Sequence, residues 1–437
     1  MLLIRGGYLM DPESGTEGKR DIVVRGDRVE AIVPDGAGKA ACEELSRGRI
    51  ETLQIIDAAG MVVAPGLVDC HVHFRDPGFT YKEDIYSGAR AAARGGFTTV
   101  VMMGNTNPHM DNPETIRQAL EKGSQTGINV LCCGNVTKDM QGKELVDMDA
   151  LMDAGAVLFT DDGVPVLNEE LMKKALEMAS ERGMIISLHE EDPQYISENG
   201  INAGAVAEKL GITGSPRDAE ISMVKRDIAL AEETGGSIVV QHISAAESVE
   251  LIRQARKRWV KVFAEATPHH FTLTEEAVLE HGSLAKMNPP LRLESDRLAI
   301  IEGLKDGTID MIATDHAPHS SEEKEREITK APSGITGLET SLALGIRELV
   351  DKGYMDLMTL LERMTSGPAD LYGLDAGHLW EGSGADMVIF DPKEEWIFDR
   401  SVSKASNTPF LGQRMPGRIH YTICGGKIVY DCNEAGE

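Results

Sequence analysis

The sequence is short of the features that mark several special classes of protein. Cysteine is scarce: Cys42, Cys70, Cys132, Cys133, Cys424 and Cys432 are the only six in 437 residues. They show neither a CxxC spacing nor the density of a disulfide framework, which argues against a disulfide-stapled fold and leaves a reducing cytoplasm as the simplest home. Cys132 and Cys133 end no run rich in polar groups, so core packing is their expected role. No eighteen consecutive apolar residues occur, and no membrane span is expected. The opening segment "MLLIRGGYLMDPESG" lacks the long apolar core and small-residue cleavage site of a signal peptide. Basic residues are outnumbered, 44 Lys and Arg against 71 Asp and Glu, and a net charge of −27 leaves no basic face for nucleic acid. The glycine-rich stretches "GGFTTV" and "SGITGLET" lack phosphate-loop spacing. No 20 to 50-residue sequence repeat and no low-complexity segment is present.

What is present reads as a globular chain, with 41% hydrophobic residues. Its length suits two or three domains, or one large α/β barrel with an addition. Residues 1 to 61 carry strand and turn patterns, "LLIRGGYLM", "DIVVRGDRVEAIV" and "QIIDAAGMVVAPG", interrupted by the polar stretch "PDGAGKAACEELSRGRIETL", which reads as a flexible insertion. The tail has the same character in "ADMVIFDP" and "GRIHYTICGGKIVYD". A small β domain built from both termini, 1–61 and 375–437, is therefore expected to flank a middle region, 62–374. That middle alternates strand and helix, which predicts a parallel sheet with helical crossovers. Eight strand-like runs stand there: "VVAPGLVDCHVH", "FTTVVMMGNTN", "NVLCCGNV", "AVLFTDDG", "MIISLHEED", "SIVVQHIS", "VKVFAEATPHH" and "MIATDHAPH". Eight βα units close a barrel, so the expected fold is α/β, a (β/α)8 TIM-type barrel with a composite β domain.

Nearly every run ends in a polar group able to bind a metal or a substrate. His71 and His73 end the first, Asn105 the second, Asp161 and Asp162 the fourth, His189 the fifth, His242 the sixth and Asp315 the eighth. Residues two apart on a strand share a face, so His71 and His73 can converge on one ion, and Arg75 follows just beyond the strand. In a parallel barrel these ends meet at one rim, where active sites of this architecture lie. Imidazole and carboxylate donors without thiolate suit zinc, with manganese, cobalt or iron as substitutes. Six donors exceed what one catalytic ion needs, and two ions sharing a bridging carboxylate is the natural stoichiometry. A structural metal is a poorer reading, since such sites are closed and often cysteine-rich. Adjacent residues point to opposite faces, so at most one of Asp161 and Asp162 is expected to reach the site.

The motifs "PGLVDCHVHFRDPG", "MMGNTNP", "FTDDG", "LHEED", "QHIS", "EATPHH", "KMNPPLR", "ATDHAPH" and "GITGLET" together resemble the type I dihydroorotases of the amidohydrolase superfamily over nearly the whole chain. The resemblance implies that His71, His73, Asp162, His189, His242 and Asp315 hold two zinc ions bridged by Asp162 and a hydroxide. It favours Asp162 over Asp161, in a place where many superfamily members carry a carboxylated lysine. It also implies reversible cyclisation of N-carbamoyl-L-aspartate to L-dihydroorotate and water, in pyrimidine synthesis, with Asp315 as the general base. Arg75 would clamp the substrate's free carboxylate, with His73, Asn105, Asn288, His319, Ser333 and Gly334 completing the pocket. The sequence departs from the family pattern at Gly104, Glu190 and Ser333, where proline, cysteine and phenylalanine are common. A homo-oligomer is expected, and association with aspartate carbamoyltransferase is compatible with the resemblance. The competing readings are a hydantoinase or allantoinase, and a non-catalytic structural partner of that transferase. The charged, then glycine-rich, segment "HSSEEKEREITKAPSGITGLET" reads as a solvated helix leading into a loop, with gating of the site as a hypothesis.

Overall fold

Eight parallel strands in sequential order form one sheet of the computed structural model, which describes residues 1–46 and 52–434. They are Leu67–Val72, Phe97–Met102, Asn129–Gly134, Ala156–Phe159, Ile185–Leu188, Ser237–Val240, Val262–Ala266 and Met311–Ile312. The ring closes just past the last strand, where Val72 bridges His316 and the His73 amide donates to the His316 carbonyl at 2.9 Å. Each strand lies within one of the eight runs read from the sequence. The runs are apolar throughout rather than alternating because the strands are covered on both faces. All six residues of Phe97–Met102, for example, are buried.

The crossovers are helices with conventional start signals. Asp84 caps Ile85–Arg94 in a reciprocal capping box with Ser87, Asn112 caps Pro113–Gly123, and Asn168 caps Glu169–Glu181. Strand residues Leu67, Val100, Met102, Ile186 and Ile238 join helix residues Ala89, Ile116, Leu176 and Ile252 in one buried cluster. That packing sets the barrel wall and leaves the strand ends free to carry chemistry.

Both termini build the second sheet. Its order is Lys427–Asp431, Arg418–Cys424, Met387–Asp391, Val62–Pro65, Leu2–Asp11, Thr16–Arg25, Arg28–Pro34, with Gln54–Asp57 also pairing along Leu2–Asp11. Leu2, Ile4, Ile22, Val24, Ile56, Val63, Met387, Ile389 and Ile423 fill its core. The single run "VVAPGLVDCHVH" thus divides into two strands: Val62–Pro65 belongs to this sheet and Leu67–Val72 to the barrel. Gly66 makes the switch, since a Cβ there would lie 2.0 Å from Thr98 Oγ1.

The polar stretch expected to be a flexible insertion is in part ordered. Gly38–Ser46 is a helix whose Cys42 packs with Leu3 and Val23, and the buried Asp21 carboxylate accepts from the amides of Gly36 and Gly38. Residues 47–51 of that stretch lie outside the described residues. Cys132 and Cys133 are buried, and all six cysteines are unpaired. Among the described residues no helix is long and apolar enough to cross a membrane.

Candidate active site

The strand ends converge on Asp162. Four imidazoles surround its carboxylate: His73 Nε2 at 3.3 Å, His71 Nε2 at 3.5 Å, and His189 Nδ1 and His242 Nε2 at 3.6 Å each. Asp315 stands on the other side of the same histidines, 3.0 Å from His73 Nε2 and 3.5 Å from His71 Nε2. All six side chains are buried. The neighbouring Asp161 points away, accepting from the Val136 amide at 2.8 Å and from the Thr137 hydroxyl and amide. Just past the strand end at Phe159 the two aspartates therefore divide into one that shapes the wall and one that faces the histidines.

Two ligand sets satisfy the reach of a single cation: His71, Asp162 and His242, and His71, His73 and Asp315. His71 Nε2, which faces both Asp162 and Asp315, is buried without a hydrogen-bond partner, which leaves a ligand atom with nothing else to bind. The imidazoles are also oriented from behind. His71 Nδ1 lies 2.5 Å from Glu265 Oε1, His189 Nε2 lies 3.1 Å from Glu191 Oε2, and His73 Nδ1 lies 3.0 Å from Asn105 Oδ1. Partners of this kind fix tautomer and ring plane at metal sites. The residues present thus fit the cation that the donor chemistry implies.

The charges agree. Burial alone would push His71 down, but the carboxylates of Glu265 and Asp162 reverse this and hold it well above the ordinary imidazole range. His189 is raised to about 10 against its burial by Asp162 and Glu191. Burial would raise Asp162 and Asp315, yet the surrounding histidines keep both carboxyls below the ordinary range. The carboxylates thus favour positive charge at His71 and His189, whereas burial draws His73 below the ordinary range. Backbone strain accompanies it: His242 and Asp315 sit at φ of 31° and 46°, and Arg75 at 59°.

A pocket of about 210 Å³ opens over this cluster, lined by His73, Arg75, Asn105, Asp162, His189, His242, Asn288, Asp315, His319, Ser333 and Gly334, together with Gly163 and Ala317. Every site residue expected from the sequence lines it except His71, which lies beneath. A larger cavity, about 610 Å³ around Arg94, Trp396 and Arg418, shares no lining residue with this pocket and holds none of the clustered histidines. Arg75 donates to the Pro318 carbonyl at 3.3 Å and meets His319 Nε2 at 3.4 Å. It pairs with neither nearby acid: Asp76 is taken by Lys122, and Asp84 by Lys404. Among the described residues no carboxylate lies within ion-pair distance of Arg75, whose charge faces the pocket in the field of Asp315, Asp162 and Glu323. His319 is pulled down to about 2 by burial, then by Arg75, Lys82 and Lys324, and is neutral beside that guanidinium. Asn288 Oδ1 and Ser333 Oγ are buried without partners. The sequence reading missed Glu265 and Glu191. Both lie within motifs it quoted, "EATPHH" and "LHEED", and an acid two residues beyond His189 was the one local signal available.

A barrel whose rim gathers imidazoles and carboxylates beneath a small polar pocket defines a hydrolase that works on a polarised carbonyl. The chain belongs to the amidohydrolase family, whose model matches residues 62–429, and within it to the dihydroorotases. It is 53% identical to the dihydroorotase of Clostridioides difficile (strain 630), over 99% of this chain and 100% of that protein. With the dihydroorotase of Lactococcus lactis subsp. lactis (strain IL1403) it shares 48% identity over 98% of this chain and 99% of the relative. Among solved structures, L-hydantoinase (dihydropyrimidinase) from Arthrobacter aurescens superposes with a TM-score of 0.85 at 26% identity, covering 98% of this chain and 96% of that one. Dihydropyrimidinase from Brevibacillus agri NCHU1002 gives 0.81 at 23% identity, covering 98% and 95%, and bears on the fold alone. The protein is an enzyme, a cyclic amidohydrolase, and its family implies a metal.

Proposed function

We propose that this enzyme interconverts N-carbamoyl-L-aspartate and L-dihydroorotate at the barrel rim, with Asp162 as the hub of a dinuclear zinc centre. The observation that carries this reading is the pairing of four histidines around Asp162 with the Arg75 guanidinium across the pocket. His71, His73, Asp162, His189, His242 and Asp315 would hold the metal, and imidazole with carboxylate suits zinc. When bound, the metal supplies Lewis acidity at the amide carbonyl and lowers the pKa of water.

The chain's own groups supply the rest. Arg75 binds the substrate's free carboxylate through two parallel N–H donors, which fixes the ring's orientation. His319, neutral beside Arg75, and the Asn288 amide take further polar atoms of the ring. In the hydrolytic direction Asp315, at the pocket floor, takes the proton from the attacking water and gives it to the leaving amide nitrogen. In ring closure the carbamoyl nitrogen attacks the side-chain carboxyl, one water leaves, and Asp315 carries the proton the other way. Cyclisation consumes a proton, so acid favours the ring and alkali the open dicarboxylate. Six unpaired cysteines, five of them buried, suit a cytoplasmic home.

The test is the loss of ring-amide absorbance when metal-analysed protein meets L-dihydroorotate. Turnover that follows zinc content supports the reading. Turnover of hydantoin or allantoin with none of dihydroorotate would overturn it in favour of the hydantoinase alternative, whose solved examples share the fold.

A further inference from the structure

Three buried polar side chains outside the histidine cluster aim at one short segment of the pocket wall. Gly334 is held at both ends of its peptide unit: its amide donates to the Lys286 carbonyl at 2.9 Å, and its carbonyl accepts from Lys324 Nζ and Asn407 Nδ2, each at 3.1 Å. Lys324 Nζ also donates to the Pro332 carbonyl at 2.9 Å, and Lys286 Nζ to the carbonyls of Ile328 and Ala331, both at 2.8 Å. Asn407 completes the arrangement from the C-terminal part of the chain. Its Nδ2 donates to the Ala317 carbonyl at 3.1 Å and its Oδ1 accepts from the His319 amide at 3.0 Å, while its own carbonyl accepts from Thr336.

The lysines are 3% and 4% exposed, and among the described residues neither ammonium has a carboxylate within ion-pair distance. A buried charge without a counter-ion is unfavourable unless its donors are well satisfied, so chains rarely keep two together. Here backbone carbonyls of residues 328–334 do the satisfying. Burial, and then the charge of Lys286, draws Lys324 down to about 7, which registers how dry the place is. Gly334 itself, at φ +131°, presses so closely on the other wall that a Cβ would lie 2.8 Å from Ala317 Cβ and 3.2 Å from His319 Nε2. A few tenths of an ångström of drift in this peptide would change the width of the pocket between Ser333 and His319.

The geometry points to Lys286, Lys324 and Asn407 as positioning residues that clamp the Ser333–Gly334 wall against Ala317–His319, so that pocket width, and with it substrate affinity, is set by side chains that never touch the substrate. This rests on the placement of the substrate between Arg75 and Gly334 proposed above. It sets a fixed wall against the hypothesis that this loop gates the site.

Two experiments test it. Asn407→Asp keeps the acceptor for His319 while removing both donors, and Lys324→Gln removes the ammonium. Each should raise KM for L-dihydroorotate about tenfold, the equivalent of about one hydrogen bond, with kcat within about twofold and metal content unchanged. An unchanged KM, or a fall in kcat, metal content and melting temperature together without a selective KM effect, overturns the proposal. Hydrogen exchange of the unmodified protein provides a second reading that needs no variant to fold. The amides of Gly334, Thr336 and Ala317 should exchange as slowly as those of the barrel strands, and exchange at the rate of an open loop overturns the clamp. If the unmodified enzyme fails to turn over dihydroorotate, the substrate reading falls, while slow or fast exchange still decides on the clamp.

Discussion

The barrel rim and the terminal sheet are both buried, yet they are built on opposite principles. The sheet's core is aliphatic, with Ile4, Ile22, Met387, Ile389 and Ile423 packed among residues of their own kind. The rim buries four histidines, two aspartates and, behind them, Glu265 and Glu191, and it carries positive-φ backbone at Arg75, His242 and Asp315. Burial in the sheet removes apolar surface from water and stabilises the fold. Burial at the rim desolvates charge, which is unfavourable, and is tolerated because the groups are aimed at one another and at a cation. Substitutions should therefore separate cleanly into those that cost chemistry and those that cost stability.

The largest effect is expected at the hub. Asp162→Asn leaves four imidazoles without their shared carboxylate, and should lose tightly bound metal together with a thousandfold or more, roughly, of kcat/KM, since several kcal/mol of charge stabilisation go with the ion. Metal analysis beside the dihydroorotate assay checks it. Retained metal and activity would show that the histidines suffice alone. Asp161→Asn, one residue away, serves as the sharpening control. It should keep its metal, because Asp161 serves the backbone of Val136 and Thr137.

Next comes Arg75→Met, which removes the positive charge that faces the pocket. A bidentate pair to a carboxylate is lost, and KM should rise on the order of a hundredfold with metal content unchanged. Added guanidinium ion should restore part of the activity if the defect is the missing fork. A variant that loses metal instead would place Arg75 in the support of the histidines rather than against the substrate.

The opposite signature belongs to the sheet. Ile389→Ala removes fully buried methylenes and should lower stability by about 2–4 kcal/mol in denaturant titration, with kcat and KM of the folded enzyme unchanged. A change in kcat would break the separation drawn above and couple the terminal sheet to the rim.

How much of this could be read in the sequence follows from the range of each interaction. The eight barrel strands were legible because each is a local apolar run, and the rim donors because they end those runs. The division at Gly66 was not, since its cause is Thr98 on the neighbouring strand. Asp161 and Asp162 could be ordered only by family resemblance, as alternation says that they differ but not which faces inward. Glu265, Lys286, Lys324 and Asn407 look like ordinary polar residues in the sequence, and their meaning lies in tertiary contacts: Glu265 meets His71, Lys286 meets Ala331, Lys324 meets Gly334, and Asn407 reaches Gly334 across 73 positions.

The smallest effect expected is at the second layer, and it is the finest probe of the comparison. Glu265 is not among the residues lining the pocket over the histidines. Its carboxylate sits 2.5 Å from His71 Nδ1 and also accepts from the His242 amide at 3.2 Å, so it orients one imidazole and anchors the strained backbone of another. Glu265→Gln keeps the volume and a carbonyl oxygen to accept from His71, but removes the charge that makes that imidazole a stronger donor. Losses at such partners are typically 10 to 100-fold in metal affinity, and about tenfold is expected here because the hydrogen bond survives. Competition against a chelator measures it directly. With saturating zinc the variant should recover most of its kcat, whereas a defect that zinc does not repair would mean that Glu265 shapes the barrel wall, as Ile389 shapes the sheet, and that the rim's second layer is structural after all.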